Sequence, residues 1–152
     1  MSKEAFKSEL DRARSRLDAK TLLLDVEDYR LFDRDVRGLE DFVGVEGGNF
    51  CHVQDAHWDD PDKGLAYLAL AMATYDDEYF LGLLAAGLLE DLLRDPSPQL
   101  LERIIVEARR TPRFRWMLAG VWLHAIAERA RASVKQLVGN GQLEDPLPPA
   151  PS

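Results

Sequence analysis

Cysteine, histidine and carboxylate side chains crowd one short stretch, Cys51-His52-Val53-Gln54-Asp55-Ala56-His57-Trp58-Asp59-Asp60. These are ligand types for a divalent cation, and a cysteine near a histidine is the raw material of an activated thiolate. The spacing fits no established zinc pattern, and ligands this close on one loop strain a tetrahedral shell. Adjacent residues of an extended loop point apart, which works against Cys51 and His52 as a pair. His124 is the distant alternative for activating the thiol. A small buried cysteine flanked by surface histidines is the simpler reading. No catalytic residue, metal or cofactor is therefore assigned.

The same stretch belongs to a wider acidic segment. From Glu40 to Glu78 there are ten carboxylates and one base, Lys63, interleaved with Phe42, Phe50, Trp58, Tyr67, Tyr75 and Tyr79. A concentrated negative field steers a basic partner, and large aromatics anchor it. Asp55, Asp59, Asp60, Asp62, Asp76, Asp77 and Glu78 are the expected charge contacts, with Trp58 and Tyr75 as anchors. Asp60 and Asp76 are also expected to cap helices. Residues 1–95 hold 22 acids against 11 bases, whereas residues 96–152 hold 5 acids against 8 bases. The dominant field repels phosphate, which excludes generic binding to nucleic acid or to an anionic membrane surface. Arg103, Arg109, Arg110, Arg113, Arg115, Arg129 and Arg131 read as solvated helix faces and partners of helix C-termini.

The elements that must position these groups are helices. Asp60-Pro61, Ser97-Pro98 and Thr111-Pro112 each place a capping side chain before a proline, where the missing N–H is harmless. Leu65, Leu68, Ala69 and Met72 recur at three and four, predicting a helix from Pro61 to Thr74. Asp76 is expected to cap a second helix reaching Arg94, apolar around most of its circumference and therefore central. Glu90 and Asp91 interrupt it, with Arg113, Arg115 and His124 as plausible partners. A third helix follows Pro98. A long one runs from Pro112 to Val138 and ends at Gly139-Asn140-Gly141. Its apolar stripe makes Trp122 core and leaves Trp116 partly exposed. Phe6, Leu10, Ala13 and Leu17 predict a helix from Lys3 to Ala19, and Leu22 to Phe32 reads as helix rather than strand. Residues 38–58 read as a long Gly-rich loop, and the Pro-rich residues 142–152 as a disordered tail.

At 152 residues the chain has the length of one domain with its own core. The lone Cys51 cannot close an intrachain disulfide and fits a reducing cytoplasm. The N-terminus carries no signal-peptide core, and no apolar run approaches bilayer length.

Leu84-Ala-Ala-Gly-Leu-Leu-Glu-Asp-Leu-Leu93 and Arg113-Phe-Arg-Trp-Met-Leu-Ala-Gly-Val-Trp122 carry a resemblance. With the aspartate-proline helix start, residues 58–128 resemble a functionally uncharacterised helical domain of small bacterial proteins. The resemblance implies an all-α fold and brings no catalytic residue or cofactor. In that pattern a proline often follows the glycine. Leu88 stands there instead, so a kink expected at that point is lost.

The resulting expectation is an all-α, compact bundle of stacked antiparallel helix pairs. Residues 1–141 form one domain, with N-terminal helices over 1–37, the loop over 38–58 and a four-helix core over 59–141. The leading functional expectation is a non-enzymatic cytoplasmic binding protein, an immunity-type inhibitor that occludes the active site of a basic toxin. The alternatives are a small metal- or cysteine-dependent enzyme using Cys51 to Asp60, and a helical adaptor working through an apolar groove. Homodimerisation stays open.

Overall fold

The computed structural model describes residues 7–37, 50–139, 141 and 145–151, with all their side chains except those of residues 32–37, 50, 51, 54, 57 and 58. Every regular element among them is helical. Helix α1 spans Glu9–Arg14, α2 Ala19–Arg37, α3 Phe50–Asp59 and α4 Pro61–Thr74. Helix α5, Glu78–Leu84, runs through a π-helical turn, Ala85–Leu89, into α6, Glu90–Leu92. Helices α7 (Pro98–Arg110), α8 (Pro112–Leu118) and α9 (Glu128–Val138) follow, with a 3₁₀ turn, Leu123–Ala125, before the last.

Helix α4 is the central element. Every residue from Gly64 to Met72 is buried, and α1, α2, α3, α5 and α8 all pack on it. Its residues explain this. The stretch Gly-Leu-Ala-Tyr-Leu-Ala-Leu-Ala-Met carries no charge, and a helix without a polar face has to be enclosed. Its small residues admit close neighbours: a Cβ on Gly64 would lie 3.3 Å from Leu92 Cδ2 and 3.5 Å from Ala56 Cβ. The central place expected for the Asp76–Arg94 helix thus goes to α4. Phe80, Leu81 and Leu84 still bury one face of α5.

The caps divide. Asp60 Oδ1 accepts the Lys63 N–H at 3.2 Å, and Ser97 Oγ accepts that of Leu100 at 3.1 Å. The third expected cap fails because Thr111 spends its hydroxyl elsewhere, donating to the buried Glu107 Oε2 at 2.6 Å. Asp77, not Asp76, caps α5, accepting the Phe80 N–H at 3.0 Å.

Several expected lengths are also corrected. The stretch from Phe50 to Trp58, expected as loop, is helix α3; residues 38–49 lie outside the described residues. The first expected helix is shorter, because Ser8 caps α1 through the Asp11 N–H at 3.0 Å and the helix closes at Arg14. The stretch from Leu22 to Phe32 is helical, as expected. The single helix expected from Pro112 to Val138 is broken by tertiary hydrogen bonds. The Trp122 N–H donates to Glu90 Oε1 at 2.8 Å, and the Ala127 N–H donates to Leu93 O at 3.0 Å. Both donors are thereby withdrawn from an α-helical ladder, and the chain turns so that α9 packs back on α7 and α8. The break inverts the two tryptophans. Trp116 is 7% exposed and Trp122 is 66% exposed. Glu90 and Asp91 pair with neither Arg113, Arg115 nor His124: Glu90 accepts from Trp122, and Asp91 Oδ1 lies 2.9 Å from Arg94. Leu88, where a kink was expected to be lost, lies in the π turn, which inserts an extra residue before Glu90.

Buried arginine closes the end of α4. Arg113 is 3% exposed. Its Nη1 donates to Met72 O at 2.8 Å and to Tyr75 O at 3.0 Å, and its Nη2 to Asp76 Oδ1 at 2.9 Å. Its Nε donates to Pro148 O at 2.8 Å, so residues 145–151 of the expected disordered tail are held against the domain. Arg113→Met keeps most of the volume and removes every one of these donors. A loss of roughly 3 kcal/mol in unfolding free energy is expected, read from the urea midpoint at unchanged slope. A loss within 0.5 kcal/mol, about that of an ordinary surface substitution, would mean that water replaces the guanidinium.

Candidate functional site

Helix α3 is amphipathic in a way its sequence explains. Val53 and Ala56 are buried, whereas His52, Asp55 and Asp59 are exposed. The spacing of three and four puts those three on one outward stripe. The stripe ends at Asp60, the exposed α4 cap, where α3 meets α4. Asp55 and Asp59 have no ion-pair partner among the described residues. Cys51, His57 and Trp58 belong to α3, but their side chains lie outside the described residues, as does the proposed anchoring by Trp58.

Beneath the stripe, α2 and α4 bury a carboxylate. Asp25 is 3% exposed, and its Oδ2 accepts the Tyr67 hydroxyl at 2.6 Å. His52 Nδ1 lies 3.6 Å from the same oxygen, and Lys63 Nζ lies 5.7 Å from the Tyr67 ring centroid. Burial and then the hydrogen bond to Asp25 raise the Tyr67 hydroxyl pKa far above its ordinary value. Sequence reasoning missed Asp25. The available signal was an aspartate inside the apolar run Leu22-Leu23-Leu24-Asp25-Val26, the same kind of interruption noticed at Glu90.

The other expected contact residues are elsewhere. Asp62, on the first turn of α4, lies 2.5 Å from Arg16 Nη1 and 2.9 Å from Arg103 Nη1. Arg16 also bonds Asp18, and Arg103 grips Glu9 with two nitrogens at 2.7 and 3.1 Å. This chain of charges ties α1, α4 and α7 together. Tyr75, Asp76, Asp77 and Glu78 sit at the opposite end of α4, whose 14 residues rise about 21 Å. There Asp76 is bound to Arg113, and Asp77 Oδ2 lies 3.9 Å from Arg30. The Tyr75 hydroxyl donates to Glu27, its ring stacks under Arg30 at 5.1 Å, and it meets Phe80 edge-on. Tyr75 is thus engaged within the fold. Glu78 is exposed and has no ion-pair partner among the described residues. The nine expected residues therefore fall into two groups a helix length apart, and among the described residues Asp55 and Asp59 in one group and Glu78 in the other have no ion-pair partner.

No group of three His, Cys, Asp or Glu side chains able to hold a metal ion occurs among the described residues. No helix among them is long and apolar enough to cross a membrane. The described residues define an all-helical domain. Residues 40–141 match a family of unknown function, DUF6869, and the chain belongs to that family. No curated protein and no solved structure matches it.

Both tyrosine–carboxylate pairs set an alkaline limit. Burial, then the bond to Glu27, push Tyr75 up to about 12 from an ordinary 10.0, and Tyr67 rises further. The unfolded chain therefore releases these protons first. Both contributions are whole below about pH 10; that of Tyr75 is lost as pH climbs through 12, and that of Tyr67 falls over the same range and continues to fall above it. Denaturant midpoints measured from pH 8 to 12 should fall above pH 10, and fall less steeply in Tyr67→Phe. At pH 8 that variant loses about 2 kcal/mol, because the buried Asp25 loses its hydroxyl donor. An unchanged pH slope in Tyr67→Phe would remove Tyr67 from the account.

Proposed function

We propose that this protein is a non-enzymatic binding module of the bacterial cytoplasm, an immunity-type inhibitor that occupies the cleft of a basic toxin. The observation that carries the reading is the stripe on α3. Asp55 and Asp59 stand one turn apart, exposed, and without a cation among the described residues. Carboxylates held on a rigid helix can stand in for the phosphates that a cationic substrate cleft is built to hold. Uncompensated charge of this kind accelerates encounter with a cationic partner and falls off steeply with salt. The net charge of −8 favours the same encounter.

The test follows from the separation of the two acidic groups. Asp62 is a poor probe because reversing it would break its bonds to Arg16 and Arg103. The double variant Asp55→Lys/Asp59→Lys leaves those bonds intact. Against the partner captured from the native host, it should weaken binding by about 100-fold or more at low salt, mostly through the association rate. Glu78→Lys, at the far end of α4, should bind as the unaltered chain does. Equal binding by the double variant would move the interface off α3. Equal losses in both variants would reduce the effect to net charge.

A further inference from the structure

The chain leaves α9 through a reversal that only glycine allows easily. Gly139 has φ 57, and the Gly141 N–H closes onto Val138 O at 2.9 Å. The returning segment, Asp145-Pro146-Leu147-Pro148-Pro149-Ala150-Pro151, carries two overlapping Pro-x-x-Pro spacings. It forms no helix, and it lies on the surface of α8. Two buried donors read its backbone. Trp116 Nε1–H donates to Asp145 O at 2.9 Å, and Arg113 Nε–H donates to Pro148 O at 2.8 Å. Leu147 packs on the core, whereas Asp145, Pro146, Pro149 and Ala150 are exposed. Beside the tail a cleft of about 200 Å³ remains, walled by Pro112, Trp116, Ala119 and Val138 on one side and by Pro146 and Pro148 on the other.

An indole N–H and a fixed cation aimed at carbonyls three residues apart, beside a cleft lined in part by Pro112, Ala119 and Val138, is chemistry that suits an extended proline-rich chain. Proline carbonyls are good acceptors, and a chain already stiff in φ loses little entropy on binding. The geometry points to the α8 surface at Trp116 as a docking groove for a proline-rich segment of a partner protein, with the chain's own tail as its resting occupant. This surface is distinct from the α3 stripe, and neither reading depends on the other. The tail argues for the occupant because it displays the required match: its carbonyls meet both donors, and its prolines border the cleft. It also argues for exchange. Among the described residues, the side-chain hydrogen bonds onto its backbone come from Trp116 and Arg113. A tether through two glycines gives a local concentration on the order of millimolar, so a free ligand displaces the tail where its concentration divided by its Kd exceeds the same ratio for the tail.

The test uses the full-length chain and a fluorescent peptide of residues 144–152. In a variant with Pro146-Leu147-Pro148-Pro149 replaced by Gly-Ser-Gly-Ser, the resting occupant is weakened and the α8 side of the groove is unaltered. Anisotropy should report peptide binding at least about tenfold tighter than in the unaltered chain. Adding Trp116→Phe, which keeps a ring and removes the N–H, should reverse the gain, and a peptide with its prolines changed to alanine should not bind. Equal peptide affinity in the replaced and unaltered chains would overturn the proposal. If the replaced chain loses helicity, the Trp116 indole resonance of the unaltered chain is followed instead. It should shift on adding millimolar peptide, and a constant signal would overturn the groove. A dimer formed by tail exchange between copies, with no binding of free peptide, would assign the surface to a second copy and overturn the partner reading.

Discussion

The end of α4 imposes the constraint on which the rest of the arrangement depends. A helix enclosed on all sides cannot present its last carbonyls to water, and buried carbonyls without donors destabilise the fold. Arg113 supplies the donors for Met72 and Tyr75 from the first turn of α8. This fixes where α8 must start. It also takes Asp76 as a counter-ion, which leaves the capping of α5 to Asp77. The same device recurs where other segments end. Arg115 donates to Ala108 O and Arg109 O at the end of α7, and Arg131 to Leu123 O in the 3₁₀ turn. Arginine suits this role because its planar fork stays charged and reaches several acceptors at once.

Using arginine in this way reshapes the electrostatics. Asp62 is paired with Arg16 and Arg103, and Asp76 with Arg113, so carboxylates that look alike in sequence differ in their partners. Glu107, 1% exposed, is not spent as a surface charge at all. It accepts the Glu9 N–H at 3.0 Å and the Thr111 hydroxyl, fastening α1 to α7. Charge that survives this accounting lies where the fold has no use for it. Asp55 and Asp59 meet that description, because α3 buries its other face through Val53 and Ala56.

The helical class and most helix starts were legible because their signals are local. Asp60-Pro61 and Ser97-Pro98 act through the first turn alone, and an uncharged run such as Gly64 to Met72 admits few fates. What was not legible depended on distant partners. Thr111 has the right type and place for a cap, yet Glu107 one turn earlier claims its hydroxyl. The period from Pro112 to Val138 is helical throughout, yet Glu90 and Leu93 draw two backbone N–H groups out of register and turn Trp122 to solvent. The acidic cluster shows the same limit. One-dimensional spacing placed Asp62 and Asp76 in a single field, and α4 between them sets its two ends about 21 Å apart. Tyr75 looked like an anchor for a partner and instead anchors Glu27 and Phe80.

Arg113 also separates what is permanent from what is exchangeable. Its two terminal nitrogens serve α4 and Asp76, while its Nε serves the tail alone. Departure of the tail therefore leaves the α4 end fully bonded. The loss includes one charge-assisted hydrogen bond at Pro148, one neutral bond at Asp145 and the packing of Leu147. Those two bonds together are worth roughly 2–4 kcal/mol, and water offsets part of that once the donors are exposed. That is small beside the burial of α4 and comparable with what a modest ligand supplies. A surface occupied this lightly, next to a core closed this firmly, can change its occupant without unfolding the domain.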